Sequence, residues 1–174
     1  MTELLFIPGS LRAASSSRAT VRALVKRLEP DVACHVADPG LLPHYNADVN
    51  GDPSVERFIA EVAAADGVVF VTPEYNYSIP GVLKNAIDWA SRPAYQSIFK
   101  EKPCFIISVS GGALGGVRAQ AHLKYVLNGM LAKPFACQEI LVPQANQKVV
   151  DEHLADEAIL AFAELNLRDF VSGL

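Results

Sequence analysis

Three short stretches gather the groups that could do chemistry. The first, "PGSLRAASSSR" at 8–18, carries the hydroxyls of Ser10, Ser15, Ser16 and Ser17 and the guanidinium groups of Arg12 and Arg18. Hydroxyls and a guanidinium fork just ahead of a helix make a phosphate cradle, because the helix end adds unpaired N–H groups and partial positive charge. Neither GxxxxGK[ST] nor GxGxxG occurs here, so a monophosphate suits the loop better than a nucleoside triphosphate or a dinucleotide. The plainer reading has serines capping the helix and arginines in solvent. The second stretch, "TPEYNYSIPG" at 72–81, sets Tyr75 and Tyr77 as flat surfaces and Asn76 as donor and acceptor, between Pro73 and Pro80. Such a stiff aromatic-polar loop suits a flat heterocycle with a hydrogen-bonding edge, unless the tyrosines simply pack on the protein's own surface. The third, "SGGALGG" at 110–116, has four glycines. They let backbone approach a ring edge closely, although glycines also serve ordinary turns.

Other chemistry is not signalled. His35, His44, His122 and His153 lack metal-ligand spacing, and no convincing catalytic triad is present. Cys34, Cys104 and Cys137 are widely separated and odd in number, which reads as buried, reduced thiols rather than a disulfide or metal set. The net charge of −4 argues against nonspecific nucleic-acid binding. No apolar run approaches the ~20 residues that span a bilayer. The N-terminus shows no secretion signal, so a cytoplasmic protein is expected.

These loops need elements to position them. The 174 residues, 51% hydrophobic and 20% charged, fit one domain over 1–174. Short apolar runs at 4–8, 32–38, 67–73, 103–112 and 138–143 read as strands. Between them, helical spacing of apolar residues marks 16–28, a helix from Pro53, one over about 80–90, one over 116–131 and a last one over about 151–171. Five strands alternate with five helices, and the best strands are continuously apolar. That predicts an α/β three-layer, doubly wound fold with a five-stranded parallel sheet of flavodoxin-like order 2-1-3-4-5. In that order ligands sit beyond the carboxyl ends of the strands, where the loops after strands one, three and four converge. Those loops are the three stretches above.

The chain resembles the NADPH-dependent FMN reductase family of the flavodoxin-like superfamily, and in particular its bacterial quinone and chromate reductase branch. The carriers are "GSLRAASSSR" at 9–18, "LPHYNAD" at 42–48, "TPEYNYSIPGVLKNAIDWASRP" at 72–93 and "SVSGGALGGVRAQAHLKYVL" at 108–127. The resemblance implies non-covalently bound FMN. Ser10, Arg12, Ser15 and Ser17 would hold its phosphate. Pro73, Glu74, Tyr75, Asn76 and Tyr77 would line the isoalloxazine ring, with Ser110, Gly111 and Gly112 on its other side. Ala14 and Ser17 depart from the glycine and asparagine that relatives often carry there.

The implied reaction passes hydride from NADPH or NADH through FMN to a small acceptor such as a quinone, flavin, azo compound or chromate. No side chain need act as an acid or base, since the cofactor carries the chemistry. Relatives are commonly homodimers or homotetramers. The competing readings are a flavodoxin-type electron carrier without NAD(P)H oxidation, and a non-redox binding module or nucleoside-processing enzyme of similar fold. Glu74 reads first as a structural residue, with a charge pair to Arg118 that orients the loop as the alternative. A role for Arg118 at the 2′-phosphate of NADPH is the other option.

Overall fold

The computed structural model describes residues 1–29 and 31–174. Strands β1 (Glu3–Pro8), β2 (Ala33–Val36), β3 (Gly67–Pro73) and β4 (Pro103–Val109) are parallel neighbours in the order β2-β1-β3-β4. The fifth position is divided. Lys133–Pro134 (β5) pairs with the start of β4, and Ile140–Val142 (β6) pairs with its end. The order is therefore 2-1-3-4-5, with the expected strand at 138–143 shortened and preceded by a second fragment. Phe135 and Cys137, between the two fragments, pack on the core beside the edge of β4.

All seven residues of β3 are buried, which is why that strand reads as unbroken apolar sequence. Successive residues alternate between two cores. Leu5, Ile7, Val68 and Phe70 face helices α2 (Pro53–Ala64), α3 (Gly81–Ala90) and α4 (Val117–Gly129). Leu4, Phe6, Val69 and Val71 face helices α1 (Ser16–Leu28) and α5 (Glu157–Ser172). Helix α1 follows β1 on one face, whereas α2 crosses on the other to reach β3. The carboxyl ends of β1 and β3 therefore flank a topological switch point.

The last helix differs from its expected span. The helical pattern suggests a start near 151, but Asp151 and Glu152 take φ of 46° and 63°. They turn a small antiparallel hairpin, β7 (Val149–Val150) with β8 (His153–Leu154). Helix α5 starts only at Glu157, after Asp156 accepts from the Ile159 N–H. Two left-handed residues in succession form a hairpin turn that normally favours Asn-Gly. Asp-Glu disguises it as helix. Among the described residues, no helix is long and apolar enough to cross a membrane, and no cluster of His, Cys, Asp and Glu could hold a metal ion.

Candidate functional site

A cleft of about 110 Å³ opens at the carboxyl ends of β1, β3 and β4. Ser10, Arg12 and Ser15–Ser17 line it from the loop after β1. Pro73, Glu74 and Tyr75 come from the loop after β3, and Val109, Ser110 and Gly111 from the end of β4. Larger hollows, of about 120, 310, 430 and 480 Å³, lie elsewhere among the described residues, and none of these gathers serine hydroxyls at a helix start.

The end of this cleft expected to take a phosphate is built by α1. Its N-cap, Ser15, makes no side-chain cap; its hydroxyl lies 2.7 Å from that of Ser17 instead. The first N–H groups of the helix are therefore left for something other than their own cap. Neither Asp nor Glu occupies the first turn, so nothing anionic opposes a bound phosphate there. Arg18 is turned away. It donates to the Ser10 carbonyl at 3.0 Å and pairs with Asp38 at 3.1 Å, which folds the loop back on itself. The Arg12 guanidinium, exposed, forms no hydrogen bond or ion pair among the described residues. Gly9 lets this loop press against β3, because a Cβ there would meet Thr72 Oγ1 at 2.8 Å.

The aromatic loop is a tight turn. Tyr75 and Ser78 exchange backbone hydrogen bonds at 2.9 and 3.0 Å, and Asn76 and Tyr77 between them have φ of 50° and 65°. That is a two-residue turn with both central residues left-handed. Asn tolerates the conformation. Tyr77 does so at a cost of about 1–2 kcal/mol, while its ring stays 68% exposed. The Tyr75 hydroxyl reaches back to Ser10 Oγ at 3.4 Å, joining this loop to the phosphate loop. The glycine loop is fastened by Ser110, whose Oγ accepts from the Gly112 N–H at 3.1 Å.

The structure thus brings together Ser10, Arg12, Ser15, Ser17, Pro73, Glu74, Tyr75, Ser110 and Gly111 in one lining. Asn76, Tyr77 and Gly112 are exposed and stand outside it. The left-handed glycines of the third loop are Gly115 and Gly116, with φ of 61° and 86°, rather than Gly111 or Gly112. Three lining residues lie outside the set implied by the resemblance: Val109, Asn146 and Ser16, whose hydroxyl belongs to the first loop. Ser16 donates to Asn146 Oδ1 at 2.8 Å, and Asn146 itself lines the cleft from the turn after β6. The rule that ligands lie beyond strand carboxyl ends would have reached Asn146 if applied to the fifth strand as well. Arg118 is engaged by Glu74 and by the ring of Tyr77, 4.4 Å from its guanidinium carbon. Of the three cysteines expected to be buried, Cys104 is buried, whereas Cys34 and Cys137 are half-buried; burial pushes Cys104 up to about 12, and burial with Glu29 nearby pushes Cys34 up to about 11.

Residues 2–147 match the family model described as NADPH-dependent FMN reductase, and that span holds all three loops and Asn146. The chain belongs to this family. It is accordingly a flavin-dependent NAD(P)H oxidoreductase, with FMN as cofactor, and the reading as a carrier without NAD(P)H oxidation gives way. Among curated relatives, it is 42% identical over 146 residues to the NAD(P)H-dependent FMN reductase of Pseudomonas aeruginosa, covering 82% of this chain and 78% of that one. It is 46% identical over 126 residues to a 2-hydroxy-1,4-benzoquinone reductase of a Burkholderia species, covering 71% and 69%. Among solved structures, FerB of Paracoccus denitrificans, a flavoenzyme NAD(P)H:(acceptor) oxidoreductase, superposes with a TM-score of 0.88. It is 34% identical and the match covers 99% of this chain and 96% of that one.

Proposed function

We propose that the whole of 1–174 acts as one FMN-binding domain that reduces quinone-type acceptors with NAD(P)H. The observation that carries the reading is the uncapped start of α1 among buried serines, inside the span that matches the reductase family. The residues fit FMN by their chemistry. Ser10, Ser15 and Ser17, with the free N–H groups of α1, supply donors for a phosphate, and Arg12 supplies charge. A cleft of about 110 Å³ suits the phosphate end of the cofactor and leaves the ring to the open rim. There Pro73, Glu74, Tyr75, Asn76 and Tyr77 would flank it on one side, and Ser110, Gly111 and Gly112 on the other. Ser16 and Asn146 brace each other across the phosphate end.

Bound FMN supplies the centre that takes hydride from NAD(P)H and passes electrons on. The chain's own work is to bind, orient and limit. The stiff turn at 75–78 fixes one wall, and the exposed rings of Tyr75 and Tyr77 leave flat surface beside the site. A planar quinone matches those surfaces, and the 2-hydroxy-1,4-benzoquinone reductase among the relatives is named for such an acceptor. The reading also includes a homo-oligomer working in the cytoplasm.

The test is steady-state oxidation of NADPH and of NADH by FMN-loaded protein with 1,4-benzoquinone, against free FMN at equal concentration. Turnover well above free FMN is expected, with the flavin retained through a sizing column. Turnover no faster than free FMN, or loss of all flavin on the column, would sink the reading.

A further inference from the structure

Glu74 stands at the cleft with its side chain only 13% exposed, yet its carboxylate is aimed away from the phosphate end. Its Oε2 accepts from the backbone N–H of Arg118 at 3.0 Å and of Ala119 at 3.3 Å, and its Oε1 accepts from Arg118 Nη1 at 3.4 Å. Those N–H groups belong to the first turn of α4, whose own N-cap is Gly116, a residue with no side chain to offer. Nor can Gly116 be given one: its φ is 86°, and a Cβ would meet that of Ser108 at 2.9 Å. The cap of α4 therefore comes from a different loop, 44 residues earlier in the chain.

Two more contacts fasten the same turn to the same helix. The Arg118 guanidinium lies over the Tyr77 ring, and Ser78 Oγ is 2.7 Å from His122 Nδ1. The Glu74 N–H also donates to the Val109 carbonyl at 3.3 Å, at the end of β4. Residues 74–78 hold two successive left-handed, non-glycine residues, a conformation that persists only when its surroundings over-determine it. Glu74 is the member of this set that is both shielded from water and bonded to two backbone N–H groups.

We infer that Glu74 is a positioning residue: by capping α4 from outside, it holds the strained 75–78 turn in the geometry that receives the flavin ring. The inference rests on the reading of that turn as the ring wall. The Glu74 carboxylate is bonded to α4 rather than turned into the cleft. It acts through the turn, so its loss loosens FMN binding beyond any loss of fold stability.

The experiment compares wild type with Glu74→Ala, Glu74→Asp and Glu74→Gln. FMN affinity is measured by quenching of flavin fluorescence, well below each variant's Tm. Amide hydrogen exchange at Tyr75 and Ser78 is followed in FMN-free protein. Gln keeps a carbonyl oxygen at the right reach, whereas Asp keeps the charge but falls one methylene short. Ala and Asp are expected to weaken FMN binding about tenfold and to speed exchange at both amides, because an unheld loop must be ordered on binding. Gln is expected to stay within about threefold of wild type on the same grounds. If Ala and Asp lower Tm while affinity and the two exchange rates stay put, Glu74 is an ordinary helix cap and the inference fails. If the Ala protein does not fold, the Asp–Gln pair decides alone. Wild type that binds no FMN overturns the functional reading itself, an outcome visible before any variant is made.

Discussion

The five α-helices among the described residues divide into two kinds by how they begin. Helices α2 and α5 are capped by the residue just ahead of them: Asp52 accepts from Ser54 and Val55, and Asp156 accepts from Ile159. Helices α1, α3 and α4, which follow the three site loops, have no side-chain cap from their N-cap residues Ser15, Pro80 and Gly116. The self-capped helices are closed, local structures. The others leave donors at the carboxyl end of the sheet: those of α4 meet Glu74, and those of α1 are the ones proposed to take a phosphate. On the proposed function, local stability is withheld where binding needs the groups.

Converting α1 into a self-capped helix tests that contrast most severely. Ser15→Asp places a carboxylate where a phosphate would lie. FMN affinity should fall by about 100-fold, through lost donors and charge repulsion. The flavin-free protein should meanwhile gain about 2–4 °C in Tm from the new cap. Titration calorimetry and scanning calorimetry on one preparation read both effects; unchanged affinity would remove α1 from the phosphate site. Next in size, Arg12→Ala should weaken FMN about tenfold, the scale of a lost charged hydrogen bond. Its Tm should hardly move, since the guanidinium has no protein partner among the described residues. A binding constant that ignores this change would leave the phosphate to serines and backbone alone.

At a self-capped helix the signs reverse. Asp156→Ala should lower Tm by about 2–5 °C with FMN affinity untouched. A parallel loss of affinity would show that the two kinds of helix are coupled. The smallest effect is in the pH dependence. The Lys148 ammonium 2.9 Å away, then the Ile159 N–H, hold the Asp156 carboxyl below its ordinary value. A carboxyl with a depressed folded pKa stabilises above its unfolded pKa of about 3.9. That contribution is lost as pH falls through the folded value. Below about pH 4 the wild type should therefore lose stability more steeply than Asp156→Asn, as urea titrations at stepped pH would show.

The sheet order and all three cleft loops were legible from residue types alone. Continuous apolar strands and helical spacing are signals of local sequence, and a parallel sheet leaves few ways to arrange them. What escaped depends on partners far apart in the chain. Asn146 meets Ser16 across 130 positions, and Asp151-Glu152 looks helical until β7 and β8 pair. The resemblance puts Glu74 at the ring wall, with Arg118 only a candidate partner. No motif announces that its carboxylate replaces the cap that Gly116 lacks. Family patterns mark which residues matter, and geometry says toward which neighbour they point.

The pairing of β1 with β3 and of β3 with β4 sets a condition on when the site can exist. Its loops hang from strands up to about a hundred positions apart in the chain, so an early fragment holds the first loop but not the whole cleft. Such non-local pairing forms late in folding, after loop closure has been overcome. Flavin uptake should therefore follow strand assembly rather than guide it. In refolding with FMN present, quenching of flavin fluorescence should lag the recovery of far-ultraviolet dichroism, and a flavin-loaded chain is one whose central sheet is already complete.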